Sequence, residues 1–234
     1  MQIASILFLF LFLHHVESSG DMNLFKVNSG HCMDGTPAAY YFRPSNNSTK
    51  WMLSLQGGGA CYTKDECTSR SKGDLGSSKN YKSTYTGNRW FSADATSNPD
   101  FYDFNTVYVP YCSSDVHSGQ QTNVSALTWG FYFSGHLNLG EIVKDIQTKH
   151  SNNWNKMTKM LITGGSAGGV GTFFNADWLV SLLINIFIYY YYHLFVSYSF
   201  FLFSIFRLHK SQPMPLSKPL PLVDGFLLEI IRIK

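Results

Sequence analysis

Short apolar runs separated by polar stretches are the main pattern in this chain, and they predict buried strands. Three such runs, at residues 51–56, 106–111 and 160–163, are rich in aliphatic, aromatic and β-branched side chains. Residues 63–98, by contrast, are polar and rich in Ser, Lys, Gly and Asn. We expect them to form a long surface excursion with little regular structure.

A helical stripe lies between the second and third runs. Its apolar positions are spaced at i, i+3, i+4 and i+7, and they are Leu139, Ile142, Val143 and Ile146. This spacing predicts an amphipathic helix over residues 138–149. The resulting order of strands and helices favours an α/β fold, with a mostly parallel sheet and helices on its faces.

The third predicted strand runs directly into a G-x-S-x-G motif formed by Gly164, Ser166 and Gly168. In such a motif a strand turns sharply onto a serine and then enters a helix, for which residues 170–178 are suitable. Small residues must flank the serine because a side chain there would collide with neighbouring backbone. The segment is typical of the nucleophile elbow of an α/β-hydrolase, with a glycine-rich structural turn as the alternative.

A second glycine-rich segment, Gly57-Gly58-Gly59-Ala60, follows the first predicted strand. α/β-Hydrolases carry one oxyanion donor in a loop after an early strand and another on the residue after the nucleophile, here Ala167. One oxyanion donor contributes about 3 kcal/mol of transition-state stabilisation. The glycines therefore indicate an oxyanion loop, and a plain flexible turn is the competing interpretation.

The N-terminus predicts export. Residues 3–13 form an apolar run of signal-peptide length, and small residues follow at Ser18, Ser19 and Gly20. The run is too short to span a bilayer comfortably, so a signal peptide over residues 1–20 is favoured over a membrane anchor. We therefore expect a secreted protein.

The cysteines agree with export. They are even in number, all lie in the first half of the chain, and are Cys32, Cys61, Cys67 and Cys112. In a secreted protein they predict two disulfides, although their spacing leaves three connectivities open. A zinc site is the competing interpretation, but no C-x-x-C pair supports it.

The surface properties of the chain also suit an exported protein. Glycosylation sequons begin at Asn46, Asn47 and Asn123, where we expect surface loops. The net charge of +3 is small, and no basic stripe is interleaved with aromatic residues. Nucleic acid is therefore not an expected partner.

The chain changes character after residue 179. Residues 180–206 lack charged side chains apart from histidine and include four consecutive tyrosines. Length makes residues 179–206 a candidate transmembrane helix, but tyrosines are unusual at membrane depth. Translation of a retained intron or an error of gene prediction is favoured, because AT-rich non-coding DNA encodes such residues. Residues 207–234 form a proline-rich tail.

Several blocks together resemble the family of pectin acetylesterases and Notum carboxylesterases. They keep the family's order and spacing over residues 25–179. The blocks are LQGGGAC at 55–61, CTSR at 67–70, LGSSK at 75–79, NPDFY at 98–102, YCSSDVHSG at 111–119 and GGSAGG at 164–169. The third and fourth blocks look like the pectin acetylesterase branch, and the fifth looks more like Notum.

The resemblance implies an α/β-hydrolase fold and a secreted serine esterase that acts on O-acyl groups without a metal or organic cofactor. The implied substrate is an O-acylated polysaccharide or a lipidated protein. The implied functional residues are Ser166 as nucleophile, Gly58, Gly59 and Ala167 at the oxyanion hole, and the disulfides Cys32–Cys112 and Cys61–Cys67.

The triad Asp and His of the family lie in its C-terminal half, far beyond the elbow. We therefore expect residues 21–179 to be a partial hydrolase domain, truncated after the elbow, with the strand before Ser166 left unpaired on one side. Asp115 and His117 precede the serine and are interpreted as loop residues. The acids and histidines downstream of the elbow have no matching context: Asp177, His193, His209, Asp224 and Glu229.

Two functions follow from this comparison. The leading hypothesis is a secreted serine carboxylesterase, with little activity in this chain for want of the triad Asp and His. The alternative is a non-catalytic binding module or decoy, either secreted or tethered to a membrane.

Overall fold

The computed structural model describes residues 20–46, 48–182, 187–195 and 201–208, and of the last two ranges it describes the backbone. The predicted signal peptide up to residue 19 and the tail from residue 209 lie outside the described residues. Within the described ranges, no helix is both long and apolar enough to cross a membrane.

The described chain alternates strands with helices in the expected order. Its strands are β1 (Asp21–His31), β2 (Pro37–Arg43), β3 (Lys50–Leu55), β4 (Thr84–Thr86), β5 (Asn105–Val109), β6 (Lys159–Gly165), β7 (Phe187–Phe195) and β8 (Phe201–Leu208). Its helices are α1 (Lys64–Arg70), α2 (Gly135–Lys149), α3 (Ser151–Trp154) and α4 (Ala167–Leu182), with a 3₁₀ turn at Arg89–Phe91.

The strands form one sheet in the order β4-β1-β2-β5-β3-β6-β7-β8. Strands β5, β3, β6 and β7 are parallel, and the strands outside them are antiparallel. Leu55 at the end of β3 is aligned with Val109 of β5 and with Gly164 of β6. The carboxyl ends of three neighbouring strands therefore meet at one edge, and the predicted α/β fold is confirmed.

One face of the sheet is covered by α2 and α4. All four residues of the predicted apolar stripe are at most 4% exposed and pack against β-strand residues such as Phe42 and Trp51. The two helices touch where Trp178 of α4 lies against the His136 ring of α2, with ring centroids 4.4 Å apart. Periodic burial of α2 thus confirms the helix predicted from its spacing.

Part of the excursion at residues 63–98 packs on the opposite face, where Tyr85 and Phe91 lie against Tyr108. Side chains alternate across β2, so Tyr41 faces away from the core residue Phe42 and packs against Tyr85 and Tyr108. The excursion has more regular structure than expected, because it contains α1, β4 and the 3₁₀ turn. In α1, the Thr63 hydroxyl caps the helix by accepting from the Glu66 N–H at 3.3 Å.

Strand β6 has neighbours on both sides. We expected it to lack one, but β7 pairs with it in parallel, from Lys159 opposite Phe187 to Gly165 opposite His193. The described parts of residues 179–206 are thus the end of α4 and two strands. The expectation of an unpaired β6 was wrong because these residues continue the sheet.

Candidate active site

Ser166 occupies the single position between a strand and a helix. Strand β6 ends at Gly165, α4 begins at Ala167, and the Ser166 backbone has a φ of 53°. A left-handed conformation is strained for a residue with a side chain, and such strain is concentrated at functional sites. The Ser166 carbonyl accepts a hydrogen bond from the Val170 N–H at 3.0 Å, so α4 begins directly after the serine. The serine is exposed, as the predicted elbow requires.

The glycines around Ser166 are required by close backbone contacts. A Cβ added at Gly168 would overlap the carbonyl oxygen of Leu55, and one at Gly164 would overlap the backbone of Gly168. In contrast, a Cβ added at Gly165 would meet no atom within 4 Å. The first and last glycines of the motif therefore let β6, α4 and the end of β3 pack closely.

The glycine loop lies directly against the elbow. It leaves β3 after Leu55, and a Cβ added at Gly57 would lie 3.1 Å from the Cβ of Ser166. Gly58 and Gly59 have φ values of 143° and 70°, which glycine adopts without strain. The structure thus brings together the loop that holds Gly58 and Gly59, the nucleophile and the N-terminus of α4.

Asp115 and His117 lie in a buried loop and are bonded to backbone. The Asp115 carboxylate accepts from the Gly135 N–H at 2.7 Å, and His117 Nε2 lies 2.9 Å from the Gln56 carbonyl oxygen. Since a carbonyl only accepts, Nε2 must carry the proton. Burial lowers the pKa of His117, so its imidazole is neutral near pH 7. These contacts are structural, in keeping with the interpretation as loop residues.

The other histidines with described side chains also have partners. His31 stacks on Tyr132, the His136 Nδ1 lies 2.6 Å from Asn175 Oδ1, and His150 packs between aromatic rings. None of the described histidine side chains is hydrogen-bonded to Ser166.

The acids and histidines beyond the elbow are placed as follows. Asp177 is exposed on α4, away from its N-terminus. His193 lies on β7 opposite Gly165, and Gly165 is the residue before the nucleophile. The His193 side chain is not among those that the structure describes. His209, Asp224 and Glu229 lie outside the described residues.

All four cysteines are paired, as Cys32–Cys112 and Cys61–Cys67. These are the pairs that the resemblance implied, and they replace the zinc alternative. No cluster of His, Cys, Asp or Glu that could hold a metal ion occurs among residues with described side chains. Of the sequon asparagines, Asn46 and Asn123 are exposed, and Asn47 lies outside the described residues.

A family model and individual relatives both connect this chain to carboxylesterases. Residues 16–188 match the pectinacetylesterase family. The chain is 38% identical over 164 residues to the zebrafish (Danio rerio) palmitoleoyl-protein carboxylesterase notum1a, covering 69% of this chain and 32% of the relative. It is 43% identical over 106 residues to the zebrafish inactive palmitoleoyl-protein carboxylesterase notum1b, covering 44% of this chain and 76% of the relative.

The fold has a match among solved structures. The Wnt deacylase Notum from Drosophila superposes with a TM-score of 0.67 at 26% identity, over 73% of this chain and 52% of the other. The chain spans about a third of the length of notum1a. Because the family match covers most of the chain, including the elbow and the glycine loop, the chain belongs to the pectinacetylesterase family.

Proposed function

We propose that this protein is a serine carboxylesterase that cleaves O-acyl esters through an acyl-enzyme on Ser166. The observation that carries the proposal is an exposed serine held at a φ of 53° between β6 and α4, with the glycine loop against it. Relatives named palmitoleoyl-protein carboxylesterases support the same class of reaction.

In the proposed reaction, Ser166 Oγ attacks the ester carbonyl while its proton passes to a base. The resulting oxyanion accepts hydrogen bonds from the backbone N–H groups of Gly58, Gly59 and Ala167. Ala167 is the first residue of α4, so the helix N-terminus adds favourable electrostatics for a negative oxygen. The base returns the proton to the departing alcohol, and water then hydrolyses the acyl-enzyme, which releases the carboxylic acid and restores the Ser166 hydroxyl.

The described residues supply the nucleophile and the oxyanion loop. Among the residues whose side chains the structure describes, no imidazole is hydrogen-bonded to the Ser166 hydroxyl. A serine hydroxyl without a base is a weak nucleophile. We therefore propose that the 234-residue chain turns esters over slowly by comparison with longer relatives.

Two substrate classes fit the relationship, an acetylated polysaccharide and a lipidated protein. The family is named for the first, and the zebrafish relative for the second. Two disulfides suit an oxidising compartment, which supports secretion behind a signal peptide over residues 1–20. In that compartment we propose Asn46, Asn47 and Asn123 as glycan acceptors.

Hydrolysis of 4-nitrophenyl esters tests the function. The purified chain is expected to release nitrophenolate slowly, and Ser166→Ala to lower kcat/KM further, because the acyl-enzyme cannot form. Ser83→Ala, at another exposed serine, is the matched control and should keep the full rate. The ratio of rates on acetyl and octanoyl esters reports the accepted acyl length. Equal rates for the Ser166 variant and the unsubstituted chain would reject the proposal.

A non-catalytic binding module is the second candidate function. The relative named inactive notum1b, of which the chain matches 76%, favours it. Calorimetry with an acetylated pectin oligosaccharide and with a palmitoleoylated peptide discriminates the two. A binding module retains a ligand equally in the unsubstituted chain and in Ser166→Ala, with no product formed.

A further inference from the structure

Arg70 is bonded to the backbone of the glycine loop, and the proposed reaction does not use this contact. Its Nη2 donates to the Gly58 carbonyl oxygen at 2.7 Å, and its Nε donates to Ser114 Oγ at 2.8 Å. The guanidinium is planar and rigid, so two bonds in different directions fix its orientation. The side chain therefore holds one peptide group of the loop in place.

The hydrogen bond from Arg70 to the Gly58 carbonyl fixes the direction of the Gly59 N–H. The peptide is trans, so its C=O and N–H point in opposite directions, and a fixed Gly58 carbonyl directs the Gly59 N–H away from Arg70. Glycines adopt many backbone conformations at low cost, so this peptide would otherwise rotate readily. A charged donor on the carbonyl also polarises the amide, which strengthens its N–H as a donor.

Neighbouring contacts hold Arg70 itself. The Cys61–Cys67 disulfide ties the end of the glycine loop to α1, one helical turn before Arg70. The Ser114 hydroxyl donates its only proton to the Leu75 carbonyl at 2.7 Å, which leaves its oxygen to accept from Arg70. Ser114 is fully buried, so this acceptor cannot move towards solvent.

The carbonyl two residues earlier is held in the same way. His117 Nε2 donates to the Gln56 oxygen, which directs the Gly57 N–H to the opposite side. The Gly58 N–H lies between these two fixed carbonyls along the chain. The loop is thus held at alternate peptides by side chains from two separate segments.

We propose that Arg70 is a positioning residue of the oxyanion hole, which aims the Gly59 N–H at the oxyanion by holding the Gly58 carbonyl. The inference rests on the proposed function, since an oxyanion forms only when Ser166 attacks an acyl carbonyl. Arg70 acts on the reaction through the Gly59 amide. A merely structural role would change the melting temperature alone, leaving both this amide and the reactivity of folded molecules unchanged.

Reaction of the full chain with an alkyl fluorophosphonate tests the proposal chemically. Ser166 Oγ forms a bond to phosphorus, fluoride leaves, the serine proton goes to solvent, and the phosphoryl oxygen takes the place of the oxyanion. Arg70→Gln is expected to lower the rate constant, followed by intact mass, about 100-fold, as for loss of one oxyanion donor. Arg70→Lys keeps a charged donor but lacks the rigid guanidinium fork, so it should recover part of this loss. The control Arg89→Gln, at an exposed arginine, should react at the full rate.

A spectroscopic readout separates this inference from the proposed function. In ¹⁵N-glycine-labelled protein, Arg70→Gln should shift the Gly59 amide resonance and speed its hydrogen exchange, whereas Arg89→Gln should change neither. Equal labelling rates for Arg70→Gln and the unsubstituted chain overturn the positioning role and leave the function standing. If the unsubstituted chain is not labelled at Ser166, the proposed function fails. Whether or not labelling occurs, an unchanged Gly59 amide in Arg70→Gln overturns the claim that Arg70 holds the Gly58–Gly59 peptide. A changed Gly59 amide supports that claim.

Discussion

At the scale of single residues, the site depends on positions where no side chain fits. Gly168 lies so close to the Leu55 carbonyl that a Cβ would overlap it, whereas Gly165, three residues earlier, faces open space. Both glycines belong to the same short motif. Their surroundings in the folded protein show that glycine is required at Gly168, whereas a side chain would fit at Gly165.

Gly168→Ala is expected to destabilise the protein and to slow reaction at Ser166. The obstacle is backbone, which cannot move aside like a flexible side chain, so the cost is expected to be about 3 kcal/mol. Thermal denaturation and fluorophosphonate labelling measure the two effects. Gly165→Ala is the matched control, with little change in either. A Gly168→Ala variant as stable as this control would show that the close approach to Leu55 is not required.

At the scale of elements, α2 holds the sheet through its apolar stripe. Ile142 is 1% exposed and belongs to the core cluster, while Lys144, two residues on, is exposed and pairs with Glu141 at 2.6 Å. An exposed pair between residues three apart contributes little to stability. The contribution of α2 therefore comes from the buried stripe.

Ile142→Ala should lower the free energy of unfolding by about 2–5 kcal/mol, because it removes buried methyl groups and leaves a cavity. Lys144→Ala, on the same helix, should change it by less than about 0.5 kcal/mol. Urea denaturation followed by circular dichroism measures both. Similar midpoints for the two variants would contradict the placement of α2 on the sheet.

At the scale of the whole molecule, a buried histidine links parts that are distant in sequence. His117 donates to Gln56 at the start of the glycine loop, and the His117 carbonyl accepts from Asn175 of α4 at 2.8 Å. Asn175 also accepts from His136 of α2. The glycine loop and both helices on this face are thus joined through polar groups inside the protein.

This link predicts that stability falls in mild acid. Burial lowers the pKa of His117 from its ordinary 6.5, although the bond to Gln56 and the charge of Asp115 act in the opposite direction. Between the lowered pKa and 6.5, the unfolded chain binds more protons than the folded protein. The free energy of unfolding therefore rises with pH through this window and decreases as the pH falls, by at most about 1.4 kcal/mol per pH unit.

Thermal melts from about pH 5 to about pH 7.5 test this sign. His117→Gln retains a donor for the Gln56 carbonyl but does not titrate, so its profile should be flatter. Burial also lowers the pKa of His150, so a residual slope should remain. Superimposable profiles for the variant and the unsubstituted chain would exclude His117 as the responsible group.

The sequence predicted the elements around the site closely. The strand expected at residues 51–56 is Lys50–Leu55, and the one expected at 106–111 is Asn105–Val109. Short buried runs of this kind have a strong local signal. The helix α1 was missed among polar residues, although Thr63 and Glu66 have the spacing of a capping box.

Local spacing was enough to place Ser166 between a strand and a helix, because the chain conformation at an elbow depends on its own glycines. It was not enough to bring the glycine loop to the nucleophile. That depends on β3 and β6 being parallel neighbours although more than a hundred residues apart. The contacts of Arg70 and His117 with Gly58 and Gln56 also arise only in the folded chain. Their acceptors are backbone carbonyls, which every residue carries, so no sequence pattern marks them.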